Sequence, residues 1–568
     1  MPVERKQEEY TPPPGLEWAT GDLLAKRAGT TPDRTALIDV ATEREWTYRD
    51  LDVAVDGLSR RLPGSRGERI GVLLETRPTF AMLPFAAMRT ERTLVLLNCR
   101  ESPVELAEKA TRAGVESLLC GRETESLARD IREAMGDGVS SEGEENETNT
   151  DSRQVPVYSI DESETTGVML LSEPGQKAVT DAEMREGNRT ETSEGDSAET
   201  NEGDRTETSE GVNSDSNENI LLIAFTSGTT GTPKGVTLTA TNLVSSAVAS
   251  AFRLGVDRTD RWLCCLPMYH MGGLAPAFRC ALYGTTVVLQ RAFEPPETAR
   301  VLEDYDVTGV SLVPTMLNRL LEAGWEPASS LRFVLLGGAP ADSRLLERCE
   351  RTDVPVYPTY GMTETASQIA TATPEEAFAH DGTVGQALVC TSVSVLDEDG
   401  TPAEPGSRGE LVVSGPTVTP GYLDPEQTAA AFSTRGLRTG DAGFRDEDGR
   451  LWILDRRADR IVTGGENVDP AKVRQVLESH SGVRKAAVVG LDDPEWGERV
   501  AALVVPEDDD GTLEVSAVQN YCRERLAGFK VPKTIGQTPA LPRTASGTVD
   551  REKARAKLEE HGIDLTES

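Results

Sequence analysis

The sequence predicts an α/β protein: a large N-terminal unit of layered α/β subdomains that includes a β-rich subdomain, then a small α+β unit. Three observations carry this reading. Short apolar runs alternate with amphipathic segments up to residue 338, the text from 386 to 456 becomes strand- and turn-rich, and the remainder returns to alternation over the length of an independent domain.

In chain order, "RIGVLLE" (69–75), "TLVLLN" (93–98), "ESLLCG" (116–121), "LLIAF" (221–225), "WLCCLP" (262–267), "TTVVLQ" (285–290), "GVSLVP" (309–314) and "RFVLLGG" (332–338) read as strands of parallel layers. Unbroken short apolar runs suit strands covered on both faces. "VSVLDEDGTP", "GELVVSG" and "GRLWILDRR" give the β-rich part, and "DPAKVRQVLESH", "VRKAAVVGLDDP", "ERVAALVVPE" and "VSAVQNYCRERL" give the small unit. The expected domains are 15–456 and 457–562. Residues 137–219 interrupt the first with acidic, apolar-poor text in which "RTETSEG" occurs at 189–195 and 205–211. Such text cannot offset the entropy of ordering, so most of it is expected to be a disordered insertion, with "VPVYSI" (155–160) a candidate strand.

At 568 residues the chain exceeds one core, and its net charge of −36 repels nucleic acid and anionic membranes, so neither is expected as a partner. Residues 181–219 hold 13 Asp+Glu against 3 Arg, net −10, which leaves −26 on the rest, so the acidity is not one tail. Lysine supplies only 11 of the 59 basic residues. A pervasively acidic, lysine-poor surface is similar to those of proteins from salt-loving microbes, where concentrated salt screens self-repulsion. The 8 cysteines are scattered, without a metal or disulfide pattern. No apolar stretch reaches membrane-spanning length, and "MPVERKQEEYTPPPG" has acids and prolines where a signal peptide has its apolar core. The expectation is a cytoplasmic protein with no membrane insertion and small-molecule substrates; a homo-oligomer stays open.

One loop carries the first chemical signal. "FTSGTTGTPKG" (225–235) follows a buried strand with three glycines, five Ser/Thr hydroxyls and one lysine. The ordinary P-loop, G-x-x-x-x-G-K-[ST], is excluded, because Pro233 stands five residues after Gly228 and Gly235 follows Lys234. A glycine-rich turn still offers backbone N–H groups, hydroxyls and a cation to one anion. "TSGTTGTPKG" resembles the phosphate-binding signature of the adenylate-forming superfamily (acyl-CoA synthetases, luciferases and adenylation domains). "LPMYHMGG" (266–273), "LLGGAP" (335–340), "YPTYGMTET" (357–365), "GELVVSGP" (409–416), "RTGD" (438–441) and "DRRADRIVTGGENVDP" (455–470) follow in the family's order.

The resemblance implies an acid–thiol ligase using ATP, Mg²⁺ and coenzyme A. A carboxylate is a poor electrophile, so such enzymes first join it to the α-phosphate of ATP, expel pyrophosphate, and then let a thiol displace AMP. Bringing phosphates and a carboxylate together demands cations and fixed dipoles. The resemblance assigns Thr226, Ser227, Gly228, Thr229, Thr230 and Lys234 to the β- and γ-phosphates, Glu364 to Mg²⁺, and Thr363 to the neighbourhood of the α-phosphate. Tyr360 would stack on adenine beside Gly337, Gly338, Ala339 and Pro340, with Gly361 and Met362 completing the nucleotide wall. Asp441 would take the ribose hydroxyls, assisted by Arg456. After adenylation the small unit is expected to rotate near Arg457 and Ala458, bringing Gly464, Gly465 and Glu466 to the adenylate for CoA.

Between these motifs the text is similar to the branch of the family that acts on 2-succinylbenzoate in menaquinone biosynthesis. That acid is a dicarboxylate, so one carboxylate is activated and the other must be recognised. His270 is expected where acid meets phosphate, gating or orienting rather than acting as a base. Arg279, nine residues on, is matched by an arginine in that branch and would pair with the spectator carboxylate. The branch often carries Ser where Gly272 stands. Other aromatic or medium-chain acids remain alternatives, as does a nucleotide-binding pseudo-enzyme. The last alternative arises because the family's C-terminal lysine, in text like "LPRTASG", is Thr548 here. Lys530, Lys533 and Lys553 are candidate replacements, and Thr548→Lys is expected to raise the ATP–pyrophosphate exchange rate.

Overall fold

A computed structural model describes residues 22–137, 155–163, 165–171, 219–226, 233–456, 461–507, 513–543 and 549–565; for residues 137, 455 and 456 it describes the backbone alone. Three sheets organise these residues.

The largest sheet, 14-stranded, fuses a parallel half to an antiparallel half. The strand Val356–Tyr360 is the seam, running parallel to Phe333–Leu336 on one side and antiparallel to Ala370–Thr371 on the other. The parallel half continues through Gly309–Leu312, Arg261–Cys264, Thr286–Leu289 and Thr35–Asp39. The antiparallel half holds the "GELVVSG" strand Gly409–Ser414, and also Gly436–Arg445 and Arg450–Arg456. Residues leaving the carboxyl end of the seam enter "GMTET", and the ends of parallel strands are where open α/β sheets bind ligands.

The second sheet, 8-stranded, runs Gly421–Tyr422, Lys234–Thr239, Ile220–Thr226, Thr93–Leu96, Arg69–Leu73, Ser117–Cys120, Val157–Ser159 and Val168–Leu170. Its last two strands come from the 137–219 stretch: the first lies in the candidate "VPVYSI", and the second was not expected. Both are parallel additions to the edge. Arg77 grips Asp161 with two bonds of 2.9 Å, and the buried Glu125 accepts from Ser159, Ser163 and Thr165. The candidate strand in "VPVYSI" is therefore present, and "VML" joins it because the ladder and the Glu125 contacts supply what its own sequence lacks. Residues 138–154, 164 and 172–218 lie outside the described residues.

Between the two large sheets lies the main core, built around the apolar helices Pro78–Thr90 and Met271–Tyr283. Fully buried leucines such as Leu74, Leu83 and Leu274 each contribute about 1.5–3 kcal/mol of transfer free energy. The second helix begins directly after His270 and ends at Gly284, whose φ of 75° suits a left-handed cap. It thus carries His270 at its start and Arg279 within its body.

The third sheet, 6-stranded, contains Glu466–Val468, Ile461–Thr463, Gly497–Pro506, Thr534–Gln537 and Ile563–Asp564, with Val483–Asp493 paired to Gly497–Pro506. It has a separate core including Val473, Leu477, Val488 and Val504. Gly464 and Gly465 form the two-residue turn between Thr463 and Glu466, with φ of 57° and 83°. Two consecutive positive φ values favour glycine, and a Cβ at position 464 would lie 2.7 Å from the Trp496 ring.

Candidate active site

All three sheets contribute walls to one cavity of about 820 Å³. The second sheet supplies Thr226 and Lys234, the first supplies Gly338, Gly361 to Glu364 and Asp441, and the third supplies Glu466.

Ladder register fixes the end of the cavity that borders the glycine-rich segment. Thr226 and Lys234 are directly paired across antiparallel strands, so both face the mouth of the glycine-rich turn. Ser227, Gly228, Thr229 and Thr230 lie outside the described residues. The Lys234 ammonium sits 5.0 Å from the centroid of the Tyr422 ring and makes no ion pair among the described residues. Tyr422 also donates its hydroxyl to Glu364 Oε1 at 3.0 Å. Glu364 is 2 % exposed, and its Oε2 has no partner among the described residues; neither has the buried Oγ1 of Thr226. Buried oxygens without partners are costly, so both mark a place where a ligand completes the structure. One hard carboxylate oxygen is what Mg²⁺ takes from protein when phosphates and waters fill its other positions. No group of three or more His, Cys, Asp or Glu side chains suited to a metal occurs among the described residues.

At the other end of the cavity, Tyr360 is not part of the wall. Its ring is 4 % exposed and packs with Ile369, Val395 and Leu411, while its hydroxyl donates to Asp441 Oδ2 at 2.6 Å. A ring held in a core orients its neighbour; the cavity wall beside it is formed by Gly361 and Met362. Asp441 pairs in the ladder with Arg456, whose side chain is outside the description. Gly337, Gly338, Ala339 and Pro340 follow the strand Phe333–Leu336, and Gly338, on the cavity wall, has φ of 83°. Thr363 opens the short 3-10 turn that carries Glu364.

His270 reaches the cavity and Arg279 does not line it. The guanidinium of Arg279 is 1 % exposed, donates to Gln368 Oε1 at 2.8 Å and Ser367 Oγ at 3.3 Å, and lies 5.0 Å from the Trp262 ring centroid. It meets no carboxylate among the described residues, its Nε has no partner, and burial pushes its pKa down. Gly272 occupies the first helical turn; its neighbour Gly273 is the sterically required glycine, since a Cβ there would lie 2.3 Å from the Pro267 carbonyl oxygen.

Glu466 spans from the third sheet to His270. Its Oε2 lies 3.0 Å from His270 Nε2 and accepts from Asn98 Nδ2 at 3.0 Å; its Oε1 accepts from the Tyr269 hydroxyl at 3.4 Å and lies 3.5 Å from Arg100. Burial opposes its charge, but His270 and Arg100 outweigh that and hold the carboxyl below its ordinary range. The adjacent Gly465 and Gly497 lie against Val313 and Thr315 of the large unit. Arg457, Ala458 and Thr548 are outside the described residues. Of the candidate replacement cations, Lys533 lies over Trp496, Lys553 pairs with Asp550, and Lys530 bonds Glu101 and Glu105. Sequence reasoning missed Tyr422, Gln368, Asn98 and Arg100; nothing in their local text marks them, because each acts through a partner more than 50 residues away in the chain.

With this geometry, the chain belongs to the AMP-binding enzyme family: that family's model matches residues 24–423, and the model of its C-terminal domain matches 472–548. The 2-succinylbenzoate–CoA ligase of Bacillus pumilus is 36% identical over 542 residues, covering 94% of this chain and 97% of that protein. A double mutant of o-succinylbenzoate CoA synthetase from Bacillus subtilis, bound with its product analogue, superposes with a TM-score of 0.77 at 31% identity, covering 95% of this chain and 99% of that one. The same enzyme with ATP and magnesium gives 0.63, also at 31% identity and with coverages of 95% and 99%.

Proposed function

We propose that this chain is an ATP-dependent acid:CoA ligase that converts 2-succinylbenzoate, ATP and CoA to 2-succinylbenzoyl-CoA, AMP and pyrophosphate through an acyl-adenylate. Thr226 and Lys234 hold the outer phosphates, Glu364 binds Mg²⁺, and Asp441, fixed by Tyr360, takes the ribose. Magnesium, when bound, neutralises phosphate charge. The acid's carboxylate oxygen attacks the α-phosphorus and pyrophosphate leaves; the CoA thiolate then attacks the acyl carbon and AMP leaves. A carboxylate nucleophile needs no general base, so His270 acts by orientation, and Glu466 fixes its imidazole once the small unit has docked.

The observation that supports the acid assignment is the 36% identity over 542 residues to a 2-succinylbenzoate–CoA ligase. Arg279, a buried cation that meets no carboxylate among the described residues, lies behind the cavity wall on Gln368 and Ser367, and pairing with the spectator carboxylate requires that wall to move. Mass-spectrometric detection of succinylbenzoyl-CoA from purified chain, ATP, Mg²⁺ and CoA, in dilute buffer and in molar KCl, tests the proposal. Turnover of monocarboxylic acids with none of succinylbenzoate overturns it. The charge of −36 supports a cytoplasm rich in salt as its setting, and no helix of the described residues is long and apolar enough to cross a membrane.

A further inference from the structure

The segment that leaves the strand Thr93–Leu96 meets the small unit at four points. Asn98 and Arg100 contact Glu466. Glu101 and Glu105 take the ammonium of Lys530 at 3.0 and 2.8 Å. Glu105 also accepts the Ala527 backbone N–H at 3.1 Å, and Glu108 receives Lys472 at 3.2 Å. Glu101, Glu105 and Glu108 recur at the spacing of one helix face, and the helix Pro103–Arg112 carries the last two.

The Lys530 group is the buried part of this strip. Lys530, Glu101, Glu105 and Lys109 are each 5–9 % exposed, and Lys109 pairs with Glu101, so two carboxylates balance two ammoniums. Burial opposes the charge of Glu101, but Lys109 and Lys530 outweigh it and lower its pKa to about 2; against the same burial penalty, Glu101 and Glu105 raise that of Lys530. Three members belong to the large unit, and Glu105 already caps its own helix through Ser102. Lys530 alone of the four belongs to the small unit.

We propose, resting on the ligase reading of the site, that Lys530 is a positioning residue for thioester formation. It seats between Glu101 and Glu105 to hold the small unit where Glu466 reaches His270, and it does not replace the amine missing at Thr548 in adenylation. A buried, hydrogen-bonded ion group gives little net stability against apolar packing but strongly penalises a misplaced partner, which makes it suited to fixing one orientation among several. Because it is buried, salt screens it weakly, so it works in concentrated KCl where surface pairs fail.

The test separates the two half-reactions in the full chain. Lys530→Met keeps the stem and removes the charge. ATP–pyrophosphate exchange with succinylbenzoate should stay within about twofold of the parent, while single-turnover transfer from preformed acyl-adenylate to CoA should slow by roughly tenfold to a hundredfold, in low and high salt alike. Lys530→Arg should restore part of the transfer rate. Retained exchange shows that the variant folds. Equal losses in both half-reactions, or an unchanged transfer rate, overturn the proposal. If the parent chain activates a different acid, the acid assignment fails and the same comparison is made with that acid. If it activates none, the ligase reading fails, and energy transfer between dyes on the two units decides: Lys530→Met must lower the docked population, and an unchanged distribution overturns the proposal.

Discussion

Two buried glutamates, Glu364 and Glu466, face the same cavity and are finished to different degrees. Glu364 has one oxygen on Tyr422 and one without a partner, whereas Glu466 has His270 and Asn98 on one oxygen and Tyr269 and Arg100 near the other. They are almost equally excluded from water, at 2 % and 3 % exposed, so burial does not separate them. What separates them is whether protein alone satisfies the charge. An incompletely satisfied carboxylate awaits a ligand; a satisfied one joins two parts of the chain.

The largest effect should come from breaking the unfinished member. Glu364→Gln removes the charge for the metal and should slow ATP–pyrophosphate exchange by about a hundredfold or more, read directly in the exchange assay. Next is Arg279→Met, which should lower kcat/KM for succinylbenzoate by roughly tenfold to a thousandfold while leaving an aromatic monocarboxylate nearly unaffected; equal losses for both acids would mean a packing defect. Glu466→Gln should leave exchange near the parent value and slow transfer to CoA by about tenfold, because a neutral amide keeps the shape but loses charge-assisted bonds.

The smallest effect is a pH dependence of that docking. The carboxyl of Glu466 is held below its ordinary value in the docked state, so its contribution is complete above that ordinary value, 4.5, and is lost as pH falls through the lowered one. Glu101 behaves in the same sense, losing its contribution between 4.5 and about 2. Lys530, with a raised pKa, contributes fully below its ordinary 10.5 and loses that contribution as pH rises through the raised value. Transfer rates measured from preformed adenylate should therefore show no loss from these groups between pH 5 and 9.

The strands of both large sheets were readable because buried parallel strands are unbroken apolar runs, and their length and flanking turns separate them from helices. The edge strand Val168–Leu170 was not readable, since what holds it comes from elsewhere in the chain: Val157–Ser159 beside it, Glu125 on Ser163 and Thr165, and Arg132 on the Gly167 carbonyl. Tyr360 shows the same limit at the site. Its motif marks it as belonging there, but whether a ring faces a ligand or a core depends on Ile369, Val395 and Leu411, which arrive from elsewhere.

The sequence by itself determined the chemistry on offer: a hydroxyl-rich turn ending in Lys234, a carboxylate in "YGMTET", an arginine nine residues after His270, and the family that uses them. Local spacing suffices for these, since each motif lies within one strand end, one turn or one helix. The tertiary structure alone decided how the charges are matched. Glu105 reads in the sequence as the end of an "S-x-x-E" helix start, and only the fold brings Lys530 to it across 425 residues. A buried charge is defined by its neighbours, and those neighbours become adjacent only when the chain has folded.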